Sequence, residues 1–168
     1  MRILVINCGS TTLKYKLFEG DQAGLAVLAA DVVPGAPPEA TVLRDILADL
    51  PVAPEVVAHR IVHGGDRFTA TVRVDDEILK SLARLTPLAP LHNGPALRVV
   101  EFTRSLGIPV VAAFDSAFFA DLPARSRRYA LPPIPGVRRY GFHGWSHRSV
   151  AQRFAAIAGS ATPSLITL

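Results

Sequence analysis

The chain has 168 residues, enough for one ordinary domain or one large piece of a two-domain protein. Its apolar share of 49% and mean hydropathy of +0.30 exclude a disordered chain, and no apolar run is long enough to span a membrane. The net charge of +4 comes from scattered arginines, with only Lys14, Lys16 and Lys80 as lysines, and no basic helix or aromatic-interleaved stripe marks a nucleic-acid binder.

Residues 3–18, ILVINCGSTTLKYKLF, predict a hairpin on which the rest of the chain is organised. The first run, residues 3–6, is continuous and β-branched, as in a strand buried on both faces. The second alternates, with Leu13, Tyr15 and Leu17 on one face and Lys14 and Lys16 on the other. The loop between them (Asn7, Cys8, Gly9, Ser10, Thr11, Thr12) offers backbone N–H groups and hydroxyls, with Lys14 close behind. That chemistry suits phosphate, although a hydroxyl-rich turn would look the same. The lone Cys8 excludes an internal disulfide, fits a reducing compartment, and reads as a small buried hydrophobe at a strand end. With no signal-like segment at the start, a cytoplasmic protein is expected.

Residues 25–33 read as a third strand, ended by the Pro/Gly-rich stretch 34–38. Residues 39–50 carry Leu43, Ile46, Leu47 and Leu50 at helical spacing. Residues 56–62 form another strand, running into His63-Gly64-Gly65-Asp66, and residues 70–74 an edge strand. Asp75 or Asp76 caps a short helix to Leu85, with Ile78, Leu79 and Leu82 inward. The stretch 86–93 is apolar yet holds two prolines, which predicts neither helix nor central strand but an apolar loop lining a pocket. Asn93 then caps the next helix, with Pro95 in its first turn and Gly107 closing it. Residues 109–114 are a strand ending in Asp115, residues 125–139 are proline-rich and irregular, and Ser146 caps a last helix to Gly159 whose inner face is Val150, Phe154, Ile157 and Ala158. Residues 164–168 begin a further strand, as in a chain cut before its next element. Three strands followed by strand–helix alternation make an α/β domain with a mixed sheet.

The polar residues fall at predicted strand ends, where open α/β sheets bind ligands: Asn7, Arg60 with His63, and Asp115. His92 and Asn93 lie in the apolar stretch, and His143 and His147 precede the last helix. Asp115 could be a helix N-cap alone. A guanidinium inside an apolar strand needs an anion, so Arg60 faces either an internal carboxylate or a ligand. His59, on the opposite strand face, reads as a structural histidine. The pair His143 and His147 lacks the glutamate of a zinc protease, and the histidines show no zinc-type spacing.

Five stretches, NCGSTTLKY (7–15), HRIVHGG (59–65), LAPLHN (88–93), FDSAF (114–118) and RYGFHGWSH (139–147), resemble in order the successive motifs of acetate kinases. The resemblance implies the N-terminal domain of a mixed-sheet, ribonuclease H-like (actin-like ATPase) fold, its second, nucleotide-binding domain missing. It implies phosphoryl transfer from ATP to acetate, giving ADP and acetyl phosphate reversibly, with Mg²⁺ or Mn²⁺ as cofactor and a homodimer for a full-length enzyme. Arg60 would bind the substrate carboxylate or phosphoryl group, and His143 would hydrogen-bond the transferring phosphoryl. Asn7 and Asp115 would orient the metal, with Asp115 counted among the catalytic residues. Ser10, Thr12 and Lys14 would handle phosphate, and Val62, Leu91 and Phe142 would hold the methyl group. The chain departs from the family pattern at the Ser10-Thr11-Thr12 loop, at Phe119 (commonly His), at Trp145 (commonly Thr) and at Gly94-Pro95. A propionate or butyrate kinase and a non-catalytic remnant are the alternatives, and the chain alone is expected to turn over little.

Overall fold

The computed structural model describes residues 1–9, 11–21, 24–34, 40–132, 134–159 and 165–167, with the side chains of residues 40 and 41 left aside. The expected hairpin is β1 (Arg2–Cys8) against β2 (Thr12–Asp21), antiparallel, with Cys8 opposite Leu13 and Leu4 opposite Leu17. The Gly9 N–H donates to the Thr12 carbonyl at 2.8 Å and closes the loop. β3 (Gly24–Pro34) extends the sheet beyond β2, and its Leu25, Val27 and Val32 stay exposed on an edge strand.

α1 (Ala40–Asp49) leads to β4 (Val56–Ile61), which runs parallel to β1. β5 (Val72–Arg73) is the expected edge strand, and Asp75 caps α2 (Asp76–Leu85) by accepting from the Ile78 N–H at 2.8 Å. A 3-10 turn (Thr86–Leu88) runs into α3 (Pro90–Ser105), which returns the chain to β6 (Val110–Phe114), parallel to β4. The sheet order is β3-β2-β1-β4-β6-β5. After β6 come a 3-10 turn (Asp115–Phe119), the short α4 (Ala124–Arg127) and α5 (Gly144–Ala158).

One sheet face holds the core. Leu4, Ile6, Val57, Ile61, Val110, Ala112 and Phe114 are buried there beneath Leu43 and Ile46 of α1 and Val99 and Val100 of α3. Burial of this apolar surface is the main stabilising contribution to the domain. His59 belongs to this face, as read: only 1% exposed, its Nε2 lies 3.1 Å from Thr103 Oγ1. The hydroxyl already donates to the Val99 carbonyl, so it accepts, and Nε2 carries the proton. Burial pushes the His59 pKa down to about 3.

Several expectations need correction. Residues 3–6 are not buried on both faces: Leu4 and Ile6 are fully buried, whereas Ile3 and Val5 lie on the more open face. Residues 86–93 are largely helical, because Pro87 and Pro90 each stand in the first turn of a helical segment, where a missing N–H is harmless. Asn93 therefore sits inside α3 rather than capping it, whereas Gly107 (φ +75°) does follow its end. α5 begins at Gly144 with His143 as its N-cap, two residues before Ser146, and its expected inner face is exposed at Val150, Phe154 and Ile157. The expected strand at 164–168 has no strand pairing at 165–167; residues 164 and 168 lie outside the described residues, as do Ser10, Glu39 and positions 35–38.

Candidate functional site

β1, β4 and β6 are mutually parallel, so their C-terminal ends meet on one side of the sheet. Asn7, Arg60 and Asp115 alternate onto the same face, opposite the helix-covered core. The Arg60 Nε donates to Asp115 Oδ1 at 3.0 Å and to Oδ2 at 3.2 Å, and Nη2 also donates to Oδ2. Its Nη1 donates to Asn7 Oδ1 at 2.9 Å. Asp115 is 1% exposed, while the Arg60 side chain keeps 27% of its surface open. Of the readings left open, Arg60 meets an internal carboxylate, and Asp115 serves that pair, with no side-chain cap hydrogen bond on its turn. Bidentate pairing fixes the plane of the guanidinium.

The pair stands on the floor of a cleft of about 520 Å³. Gly9, Thr11 and Thr12 of the hairpin loop form one wall, with Arg60, Val62 and Asp115 at the base. Leu88, Ala89, His92, Phe142 and His143 complete the lining. The structure thus brings together Thr12, Arg60, Val62, Asp115, Phe142 and His143 from among the expected site residues. Leu91 is not part of this lining: it is 73% exposed, because the helical turn at residues 90–93 turns it outward, and Leu88 and Ala89 stand at the cleft instead. Lys14 is exposed and lines, with Asn7, a separate open groove beside β2 and β3. Ser10 lies outside the described residues.

His143 has φ +58°, the one positive value at a non-glycine among the described residues. A side chain held in the left-handed region at a cleft is a mark of a constrained functional position. Two further supports shape this end of the cleft. Asn93 Oδ1 accepts from the His63 N–H at 3.2 Å while its Nδ2 donates to the His63 carbonyl at 2.9 Å, pinning the turn after β4 to α3. The Tyr140 hydroxyl donates to Asp66 Oδ1 at 2.9 Å, Arg138 pairs with the same carboxylate, and the Tyr140 ring packs edge-on against His63 at 4.3 Å. Burial and the Arg138 guanidinium lower the His63 pKa, opposed by Asp66. The sequence marks His92 as a polar residue in an apolar stretch, but only the helical turn shows that it reaches the cleft. The Asn93–His63 pin left no sequence signal, since an asparagine ahead of a proline reads first as a cap.

No group of three or more His, Cys, Asp or Glu side chains among the described residues forms a metal cluster. The Asp115 carboxylate at the cleft and the neighbouring Asn7 amide are both engaged by Arg60, and Thr11 and Thr12 also stand on the lining. A single carboxylate with amide and hydroxyl oxygens beside it is a donor set that suits Mg²⁺ retaining most of its water, so the residues fit a cation held through that shell.

Residues 40–168 match the sequence profile of the Acetokinase family. The chain belongs to the acetokinase family. It is 36% identical to the acetate kinase of Desulfitobacterium hafniense (strain DSM 10664 / DCB-2) over 194 residues, covering 94% of this chain and 49% of that protein. The acetate kinase of Thermotoga maritima is also 36% identical, over 95% of this chain and 48% of its own length. Among solved structures, the acetate kinase of Porphyromonas gingivalis superimposes with a TM-score of 0.79 at 35% identity, over 95% of this chain and 49% of that one. A propionate kinase from Francisella tularensis gives a TM-score of 0.78 at 26% identity, over 96% and 50%. This acetokinase chain therefore spans about half the length of the relatives it matches. The α/β mixed-sheet fold expected from the sequence is the fold of those neighbours. No helix among the described residues is long and apolar enough to cross a membrane.

Proposed function

We propose that this chain is the N-terminal, acceptor-binding half of an acetate kinase, transferring a phosphoryl group from ATP to acetate to give ADP and acetyl phosphate, reversibly. The observation that carries the reading is the Arg60–Asp115–Asn7 cluster at three parallel strand ends, opening into a cleft that also holds His143 and Phe142. Acetate is already ionised at neutral pH, so one carboxylate oxygen attacks the γ-phosphorus as the bond to the ADP oxygen breaks, and no proton must be removed. The task left to the protein is alignment and charge neutralisation. Arg60, fixed in plane by Asp115 and partly open to the cleft, meets the acetate carboxylate or the transferring phosphoryl. His143 donates to the phosphoryl oxygens as charge spreads over them. Val62, Phe142 and Leu88 surround the methyl group, and Leu91 remains a candidate only if its turn moves. Thr12, with Ser10 and Lys14, contributes to phosphate binding.

Mg²⁺ or Mn²⁺ would be held at Asp115 and Asn7 through water, and when bound it supplies positive charge to the nucleotide phosphates. The remainder of the nucleotide site, and a homodimer contact, would lie in the part of the relatives' length that this chain does not cover. A cytoplasmic location, with acetate and adenine nucleotides as the partners and neither nucleic acid nor membrane among them, completes the proposal. Propionate is the second substrate to consider: the apolar side of the cleft includes the half-exposed Leu88, and one methylene is worth only about 1–3 kcal/mol of discrimination.

The test is acetyl phosphate formation from ATP and acetate by the protein as its source produces it, trapped as the hydroxamate. Formation that depends on acetate and falls to background in His143→Ala is expected. Absence of product with acetate, propionate and butyrate alike, even with a complementary C-terminal half supplied, would favour a non-catalytic remnant.

A further inference from the structure

The turn that begins with Asp115 is also the surface on which the Phe142–His143 segment rests. A Cβ at Gly144 would lie 2.1 Å from the Asp115 carbonyl oxygen and 2.5 Å from Phe118 Cβ. A Cβ at Gly141 would lie 2.5–2.6 Å from three carbons of the Phe119 ring. Gly141 does not have a positive φ, so close approach of this ring, not backbone conformation, is what reserves the position for glycine. The ring is wedged in turn: it stands edge-to-face with Phe118 at 5.0 Å and with His147 of α5 at 6.1 Å. Phe119 itself does not line the cleft, whereas Phe142, one residue beyond Gly141, does.

We propose that Phe119 is a positioning residue that sets how far Phe142 stands into the cleft, and thereby the chain length of the carboxylate accepted there. The inference rests on the carboxylate-acceptor reading above. Interiors are close-packed, so a bulky ring against a residue with no side chain leaves the backbone at 141 no room to withdraw. Without the ring, the Gly141–Phe142 backbone can retreat towards the 3-10 turn and the apolar wall recedes. Longer acids then fit, while Arg60 and Asp115, held by the strands, stay in place.

The experiment measures kcat and KM for acetate, propionate and butyrate in the protein as its source makes it. Phe119→Ala is expected to shift the kcat/KM ratio of propionate to acetate upward about tenfold, the scale of one methylene in an apolar pocket. The kcat for acetate should stay within about threefold, since the ring touches no reacting atom. Phe119→Leu should fall between, and serves if the alanine variant does not fold. A double-mutant cycle in unfolding stability adds a readout independent of turnover. Gly141→Ala should be destabilising alone and largely relieved in the Phe119→Ala background. An unchanged acid ratio in a folded, active variant, an equal loss of kcat for all three acids, or additive stability effects would each overturn the role of Phe119 and leave the kinase reading intact. A wild-type protein that turns over none of the acids contradicts that reading, and the selectivity claim goes with it.

Discussion

The two sides of the cleft are built on different principles. The strand-end side, Asn7, Arg60 and Asp115, is fixed by parallel strands and by a bidentate ion pair whose carboxylate is 1% exposed. The side that carries Phe142 and His143 has no strand. It is held by contact: two glycines packed against the Asp115–Phe119 turn, and the tie from Tyr140 and Arg138 to the exposed Asp66. Phe142 and His143 are themselves exposed. One side is rigid because changing it leaves a charge without a partner, the other because there is no space to move. The same kind of substitution should therefore read differently on the two.

The largest effect is expected at Asp115. Asp115→Ala leaves the partly buried Arg60 guanidinium unpaired, which should lower stability by about 3 kcal/mol, measured by denaturant unfolding, and abolish transfer as well. Arg60→Ala should also destabilise, because it strands a buried carboxylate; activity loss without any loss of stability would contradict the pairing seen here. On the other side, His143→Ala should reduce kcat by about 10²–10³ with stability changed by less than about 1 kcal/mol. His143→Gly sharpens the contrast, since glycine adopts φ +58° freely: it should be as inactive as the alanine variant yet more stable by about 1 kcal/mol.

Smaller effects come from the core beneath the strand-end side. His59 stays neutral in the fold down to about pH 3 but accepts a proton near pH 6.5 when unfolded. Protons then favour the unfolded chain, so stability should fall on acidification through that window, by up to about 1.4 kcal/mol per pH unit. His59→Leu should flatten that slope in pH-dependent unfolding, and an unchanged slope would show that other groups cause it. The least effect is expected at Cys8, whose thiol burial pushes up to about 11. Alkylation at pH 8 should be at least about a hundredfold slower in the folded protein than in denaturant.

The rigid side was legible in the sequence because its signals are local. Apolar runs at 3–6, 56–62 and 109–114, each with a polar residue at or near its end (Asn7, Arg60 and Asp115), locate three strand ends. A lone arginine in an apolar strand demands an anion nearby. The identity of that anion was not legible, because the partner is 55 residues away and an aspartate before a serine reads equally well as a cap. The other side was harder. Proline in residues 86–93 counted against helix, although at a first turn it favours one, and this displaced Leu91 from the cleft and brought His92 into it. Ser146 is a good cap by type, but the helix starts two residues earlier, with His143 in a left-handed backbone at its N-cap and no side-chain cap hydrogen bond. Close approaches such as the one at Gly141 leave no periodicity, only a glycine whose reason lies in a distant ring.

The central claim is that a small carboxylate sits between the two sides, its charged end at Arg60 and its methyl group at Phe142. The direct measurement is the set of nuclear Overhauser contacts from the methyl protons of acetate, titrated to saturation, to assigned protein side chains. Contacts to the methyls of Val62 and the ring of Phe142, lost in Arg60→Ala, are the predicted result. Saturation without those contacts, or contacts only to the Phe18 and Val32 groove on the open side of β2 and β3, would contradict it.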